Sequence, residues 1–128
     1  LEREAPQVDI QLHHESHRVD DGVFQTVLTV TVTAKAKDKT LFLVEVGQAG
    51  IFTIRNIPDA DMEPVLGIAC PNILYPYVRE VVSDIVSRAG FPPVVLTPVN
   101  FEALFQAQKQ AQAEQQQKEA SPIIQAAH

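Results

Sequence analysis

The sequence predicts an α+β domain with helices packed on one face of an antiparallel sheet, and three observations carry that prediction. Between Val8 and Ile54 apolar and polar residues alternate with a period of two, the pattern of strands buried on one side. Short polar turns, Asp20-Asp21-Gly22 and Ala36-Lys37-Asp38-Lys39, divide these runs, so consecutive strands join as antiparallel hairpins. From Asp61 onward the period becomes helical, and strands precede helices without the alternation of βαβ units.

The first strand is read at Val8-Asp9-Ile10-Gln11-Leu12, whose apolar residues fall on one face. In the second, FQTVLTVTVTAK, Phe24, Leu28, Val30, Val32 and Ala34 share one face and Thr29, Thr31 and Thr33 the other. The third, TLFLVEVGQAGIFTI, sets Phe42, Val44, Val46, Phe52 and Ile54 against Leu43 and Glu45, and Gly47 and Gly50 suggest a bulge or bend. A short weak helix is expected around Met62 with Asp61 as its cap. Pro76 is expected in the first turn of a longer helix, where its missing N–H costs nothing. Val78, Val81, Val82, Ile85, Val86 and Ala89 form that helix's apolar stripe, and Gly90 closes it.

The stretch FPPVVLTPVN holds three prolines and must cross the domain without being helical. Asn100 then caps a last helix that begins FEALF, with Phe101, Leu104 and Phe105 on one side. Beyond Phe105 the Gln-rich run has no apolar anchors, so residues 1–105 are assigned to the folded domain and 106–128 to a fraying helical extension and flexible tail.

At 128 residues the chain suits one domain with one core. Sixteen acidic against ten basic side chains give a net charge of −6, opposite to the footprint of a phosphate-binding surface, so nucleic acid is not an expected partner. No apolar run approaches the ~20 residues that span a bilayer, and the N-terminus lacks a signal pattern, so a soluble cytoplasmic protein without membrane insertion is expected. The chain starts at Leu1, almost at once on a strand pattern, and residues are expected upstream of it.

Few residues suggest chemistry. His13, His14 and His17 form HHxxH, which on a helix would put two ligands on one face. On a strand His13 and His17 stand ~13 Å apart, too far to share a metal. Cys70 is the single cysteine and has no neighbouring cation to activate it, so a buried structural thiol is expected. The loops around CPNILYPY and GFPPVVLTPVNF are rich in apolar residues, which either cover the core, meet another subunit, or line a groove for apolar ligands.

CPNILYPYVRE, with EVGQAGIF before it and SRAGFPPVVLTPVNFEALF after it, resembles SecB, the bacterial protein-export chaperone family, in one register from about Pro6 to Phe105. The resemblance implies a four-stranded sheet, its first strand absent from this sequence, and a cytoplasmic homotetramer built as a dimer of dimers. Such a protein holds non-native precursor polypeptides and hands them to the motor SecA with no cofactor of its own, and it is not an enzyme. Carried over by position, the client groove comprises Val8, Ile10, Leu12, Leu96, Leu104 and Phe105. SecA docking falls on Leu43 and Glu45, and tetramer integrity on Val44, Val46 and Gln48. Alternation independently puts Leu43 and Glu45 on the face away from the helices. The upstream strand would carry acidic residues completing the SecA surface. Two rivals are a SecB-like chaperone serving another partner, such as a toxin-antitoxin system, and a small enzyme or metal protein using Cys70 and the histidines.

Overall fold

The computed structural model describes residues 6–126 apart from Pro93, with side chains described as far as Glu119. The expectations about residues upstream of Pro6 and about the last two residues lie outside that range. Three strands, β1 (Gln7–Asp20), β2 (Val23–Ala36) and β3 (Lys39–Thr53), form an antiparallel sheet in the order β1-β2-β3. Both hairpins need left-handed backbone: Gly22 has φ 68°, and Lys37 and Asp38 have φ 51° and 65°, the conformation that lets a two-residue turn follow the strand twist. The fold is therefore the α+β sheet with helices that the alternation predicts.

The central strand supplies the centre of the core. Leu28, Val30, Val32 and Ala34 are all 0% exposed, on the predicted face. Val46 faces Val30 from β3. The helix lays Val78, Val82 and Val86 on this surface at i, i+4 and i+8, all buried, so the core is largely aliphatic as composition suggests. Thr26 is also fully buried, and its hydroxyl is hydrogen-bonded to that of Ser16 at 2.8 Å.

Three expectations about local structure need correction. First, Pro76 does not open the long helix: helix α2 runs Cys70–Arg88, with Pro71 in its first turn and Pro76 inside it. CPNILY is thus helix and not a connecting loop, and burial of Cys70, Pro71, Leu74 and Tyr75 offsets the hydrogen bond that Pro76 removes. Second, the preceding helix α1 (Asp59–Pro64) has Pro58, not Asp61, at its cap position. Asp59 and Asp61 sit instead in the first turn, favourable against the helix dipole. A π turn, Val65–Ala69, joins α1 to α2 between Pro64 and Pro71, two residues with no N–H to give an α-helical ladder.

Third, Gly47 and Gly50 mark no bulge, because β2 and β3 stay in register from Val23 opposite Thr53 to Ala34 opposite Phe42. Gly50 serves close packing: a Cβ there would lie 2.8 Å from Leu74 Cδ2 and 3.0 Å from the Phe52 ring. Gly50→Val is therefore expected to destabilise by about 1–3 kcal/mol through overpacking. Gly47→Ala, whose new methyl would meet nothing nearer than 3.8 Å, is expected to be neutral, and thermal melts of the two variants check the contrast.

Helix α3 (Phe101–Ala126) follows the crossing segment. Its helical backbone continues through Ala126, where fraying and disorder are expected from the sequence; its side chains from residue 106 to 119 are exposed.

Candidate functional site

The candidate groove starts from an uncovered strip of sheet. Helix α2 packs on β2 and β3, and the start of the edge strand β1 keeps apolar side chains exposed beside it. Val8, Ile10 and Leu12 alternate on β1's inner face, opposite Ala34, Val32 and Val30 of the buried row. Leu12 packs partly into the core, but Val8 and Ile10 remain 43% and 41% exposed.

The crossing segment returns from the end of α2 along the domain. Phe91 packs tilted against Phe42 of β3 with ring centroids 4.8 Å apart, and Tyr75 donates its O–H to the Thr97 carbonyl. Tyr75 also meets Phe101 edge-on at 5.7 Å, so one α2 side chain fastens both the segment and the start of α3. Leu96 is 1% exposed and Val95 is 76% exposed, as alternation along an extended chain requires. The Asn100 side-chain oxygen accepts from the Ala103 N–H at 3.0 Å, the predicted cap.

Of the residues assigned to the groove by resemblance, then, three present surface, Val8, Ile10 and Leu104, and Leu12 does so in part. Leu96 belongs to the core, and Phe105 is nearly buried on the π turn, where a Cβ on Gly67 would come within 2.7 Å of its ring. Phe105 also borders a cleft of about 470 Å³ between β1 and the helices, lined among others by His14, Met62, Leu66 and Gln108. These lining residues carry no signal in the sequence, because they come from four separate elements.

The ionisable groups here do little chemistry. Burial, helped by the charge of His13, holds His14 below the ordinary imidazole value. Burial pushes the Cys70 thiol up, against a hydrogen bond with Thr26, which opposes formation of a thiolate nucleophile. His13 and His17 lie on the outer face on either side of Glu15, at 3.1 and 3.8 Å from its oxygens. The hydrogen bond from His13 keeps the Glu15 carboxyl below its usual range.

On the same outer face Leu43 is 60% exposed, and Glu45 accepts from the Thr31 hydroxyl at 3.2 Å. Val44 and Val46 point the other way, into the helix layer, and Gln48 lies in their row opposite Leu28. A further surface is legible in the sequence only in part. Ile73, Tyr77, Val81 and Ile85 form an exposed apolar row on α2 at i, i+4, i+8 and i+12, facing away from the sheet. Spacing alone merges Val81 and Ile85 with the core-facing stripe, and a helix begun at Pro76 leaves Ile73 out. No helix of the described residues is long and apolar enough to cross a membrane.

The family model for SecB, preprotein translocase subunit, matches residues 1–112. The chain belongs to the SecB family. It is 66% identical over 110 residues to protein-export protein SecB of Nitrosospira multiformis, covering 86% of this chain and 69% of that one. To the protein of the same description from Chromobacterium violaceum it is 60% identical over 114 residues, 89% of this chain and 76% of the relative. A SecB-like chaperone of Mycobacterium tuberculosis, solved with a peptide from an antitoxin, matches in fold with a TM-score of 0.64 at 16% identity over 74% of each chain. SecB proteins are protein-export chaperones, a family that is not a class of enzymes, and the SecB resemblance seen in the sequence is thereby established. The antitoxin-bound neighbour shares the fold alone.

Proposed function

We propose that this SecB protein is a cytoplasmic holdase that binds non-native precursor polypeptides without ATP and passes them to SecA. The observation that carries the reading is the apolar row Val8-Ile10-Leu12 on an edge strand, of which Val8 and Ile10 are exposed and Leu12 is partly so, with Leu104 of α3 also exposed. An unfolded chain offers apolar side chains and free backbone, and such a strip meets both without demanding a sequence. Leu96 and Phe105 contribute from beneath by holding the crossing segment and α3 in place. Residues 1–105 form the chaperone domain in this reading, and 106–128 extend it, with Gln108 bordering the cleft beside Phe105.

In the working homotetramer, Ile73, Tyr77, Val81 and Ile85 supply the apolar contact between dimers. Val44 and Val46 support it indirectly because they seat α2 on the sheet; Gln48 extends the same row. The chain is not an enzyme in this reading, and it needs no cofactor. The test is dilution of a denatured, slowly folding secretory precursor with and without the protein and without ATP, followed by light scattering. Suppression saturating near one tetramer per client supports the reading; none from a folded tetramer overturns it.

SecA is assigned to the outer sheet face at Leu43 and Glu45. Glu45→Lys reverses an exposed charge that accepts a hydrogen bond from Thr31 and is expected to weaken SecA binding about tenfold with client capture unchanged, since the two faces are opposite. Titration of SecA and of precursor against the same preparation separates the two. Parallel loss of both would mean a folding defect instead of a docking site.

A further inference from the structure

Helix α3 meets the α1 and π-turn segment in antiparallel register through two paired contacts. Phe105 sits on Gly67, where a Cβ would come within 2.7 and 2.9 Å of the ring. One helical turn further along each element, Lys109 Nζ lies 3.1 Å from Glu63 Oε2. The same ammonium lies 5.5 Å from the centroid of the Phe105 ring. Ring, glycine and ion pair thus form one unit, and the ammonium closes it over the ring. Among the described residues Lys109 is the last of α3 with an ion-pair partner on another element.

This unit stands at the edge of the cleft that Phe105, Gln108, Met62 and Glu63 share with His14 and Ser16 of β1. Motion of α3 away from the π turn would carry Phe105 and Gln108 with it and change the width of that cleft. We propose that Glu63, Gly67 and Lys109 are positioning residues, a clasp that restrains α3 and sets how readily the cleft admits an extended polypeptide segment. The proposal rests on the reading of this side of the domain as the client site and adds the residues that govern entry.

The chemistry sets the size of the effect. Lys109 and Glu63 are 48% and 64% exposed, so their attraction is modest and is screened by salt. The ammonium over the ring adds a contribution of similar size. Breaking the pair is therefore expected to loosen α3 by about threefold to tenfold, enough to act as a restraint and too little to unfold the domain. Gly67 is different: its lack of a side chain is steric, so Gly67→Ala unseats the ring at any salt concentration.

The test uses hydrogen exchange of the α3 amides around Phe105 and stopped-flow association of a dye-labelled extended peptide of Leu, Phe, Ser and Lys, each at low and high salt. In the unaltered protein both rates should rise with salt. Lys109→Gln should show the raised rates already at low salt and little further response, with a gain of about threefold or more. Charge exchange, Glu63→Lys with Lys109→Glu, should restore the ion-pair part of the restraint and with it the salt response, while the contact of the ammonium with the Phe105 ring stays lost. Exchange rates identical in all variants, or a charge exchange that brings back no salt response, overturn the clasp. Faster amide exchange in Lys109→Gln with an unchanged peptide rate overturns its control of entry. If the unaltered protein binds no peptide while the exchange rates respond as expected, the client reading falls and the restraint stands.

Discussion

Val82→Asp is expected to yield no cooperatively folded protein, whereas Val81→Asp, one residue earlier on the same helix, should fold and fail to assemble. Val82 is 0% exposed in the layer between α2 and the sheet, in one apolar cluster with Leu28, Val30, Val32 and Val78. A carboxylate there has no partner, and its desolvation costs several kcal/mol against a total stability of about 5–15 kcal/mol. Val81 is 37% exposed and belongs to the outward row with Ile73, Tyr77 and Ile85. An aspartate at that position costs the lone chain little, but in a dimer-of-dimers contact it would place charges in an apolar interface. The expected result is a native circular-dichroism spectrum with a molar mass by light scattering reduced from tetramer to dimer. A Val81→Asp tetramer indistinguishable from the original would remove α2's outer row from the assembly surface.

That pair of neighbours also shows where the sequence is readable. Periodicity places Val78, Val81, Val82, Ile85, Val86 and Ala89 on one broad stripe, and the structure divides it into a core row and a second, outward row. Nothing in the spacing separates the two, because i+3 and i+4 neighbours belong to the same broad face until another surface is laid against them. The strands were easier, since alternation leaves only two faces and Leu28, Val30 and Val32 can occupy just one. Pro76 misplaced the start of α2 because the rule for proline in a first turn is statistical, and here Pro71 fills that role while Pro76 is carried inside. The π turn was illegible because its five residues shift the helical phase, and its use, seating Phe105 on Gly67, depends on an element almost forty residues away in sequence. The groove residues came from resemblance, since an apolar residue in a proline-rich segment reads the same whether it points inward, like Leu96, or outward, like Val95.

The second large effect is expected from Val8→Asp combined with Ile10→Asp, which should abolish client capture while the sheet persists. Both side chains are more than a third exposed on β1's inner face, so two aspartates remain within reach of water and the cost to the fold should stay near 1 kcal/mol each. For a client the consequence is much larger. Its apolar side chains would meet two carboxylates where they now meet Val and Ile, losing about 1.5–3 kcal/mol per buried side chain and adding the cost of desolvating charge. An affinity loss of a hundredfold or more follows, read as loss of scattering suppression at tetramer concentrations that saturate the original protein. Phe105→Asp is a poorer test of the same surface: Phe105 is only 9% exposed on Gly67, so the change would unseat α3 as well as alter the groove. The control is Gln11→Asp, which adds half of that charge to the same strand on the opposite face and should leave capture intact. Were Gln11→Asp to abolish capture as completely as the inner-face pair, general repulsion by added negative charge would explain the loss, and the apolar row of β1 would not be the place where clients bind.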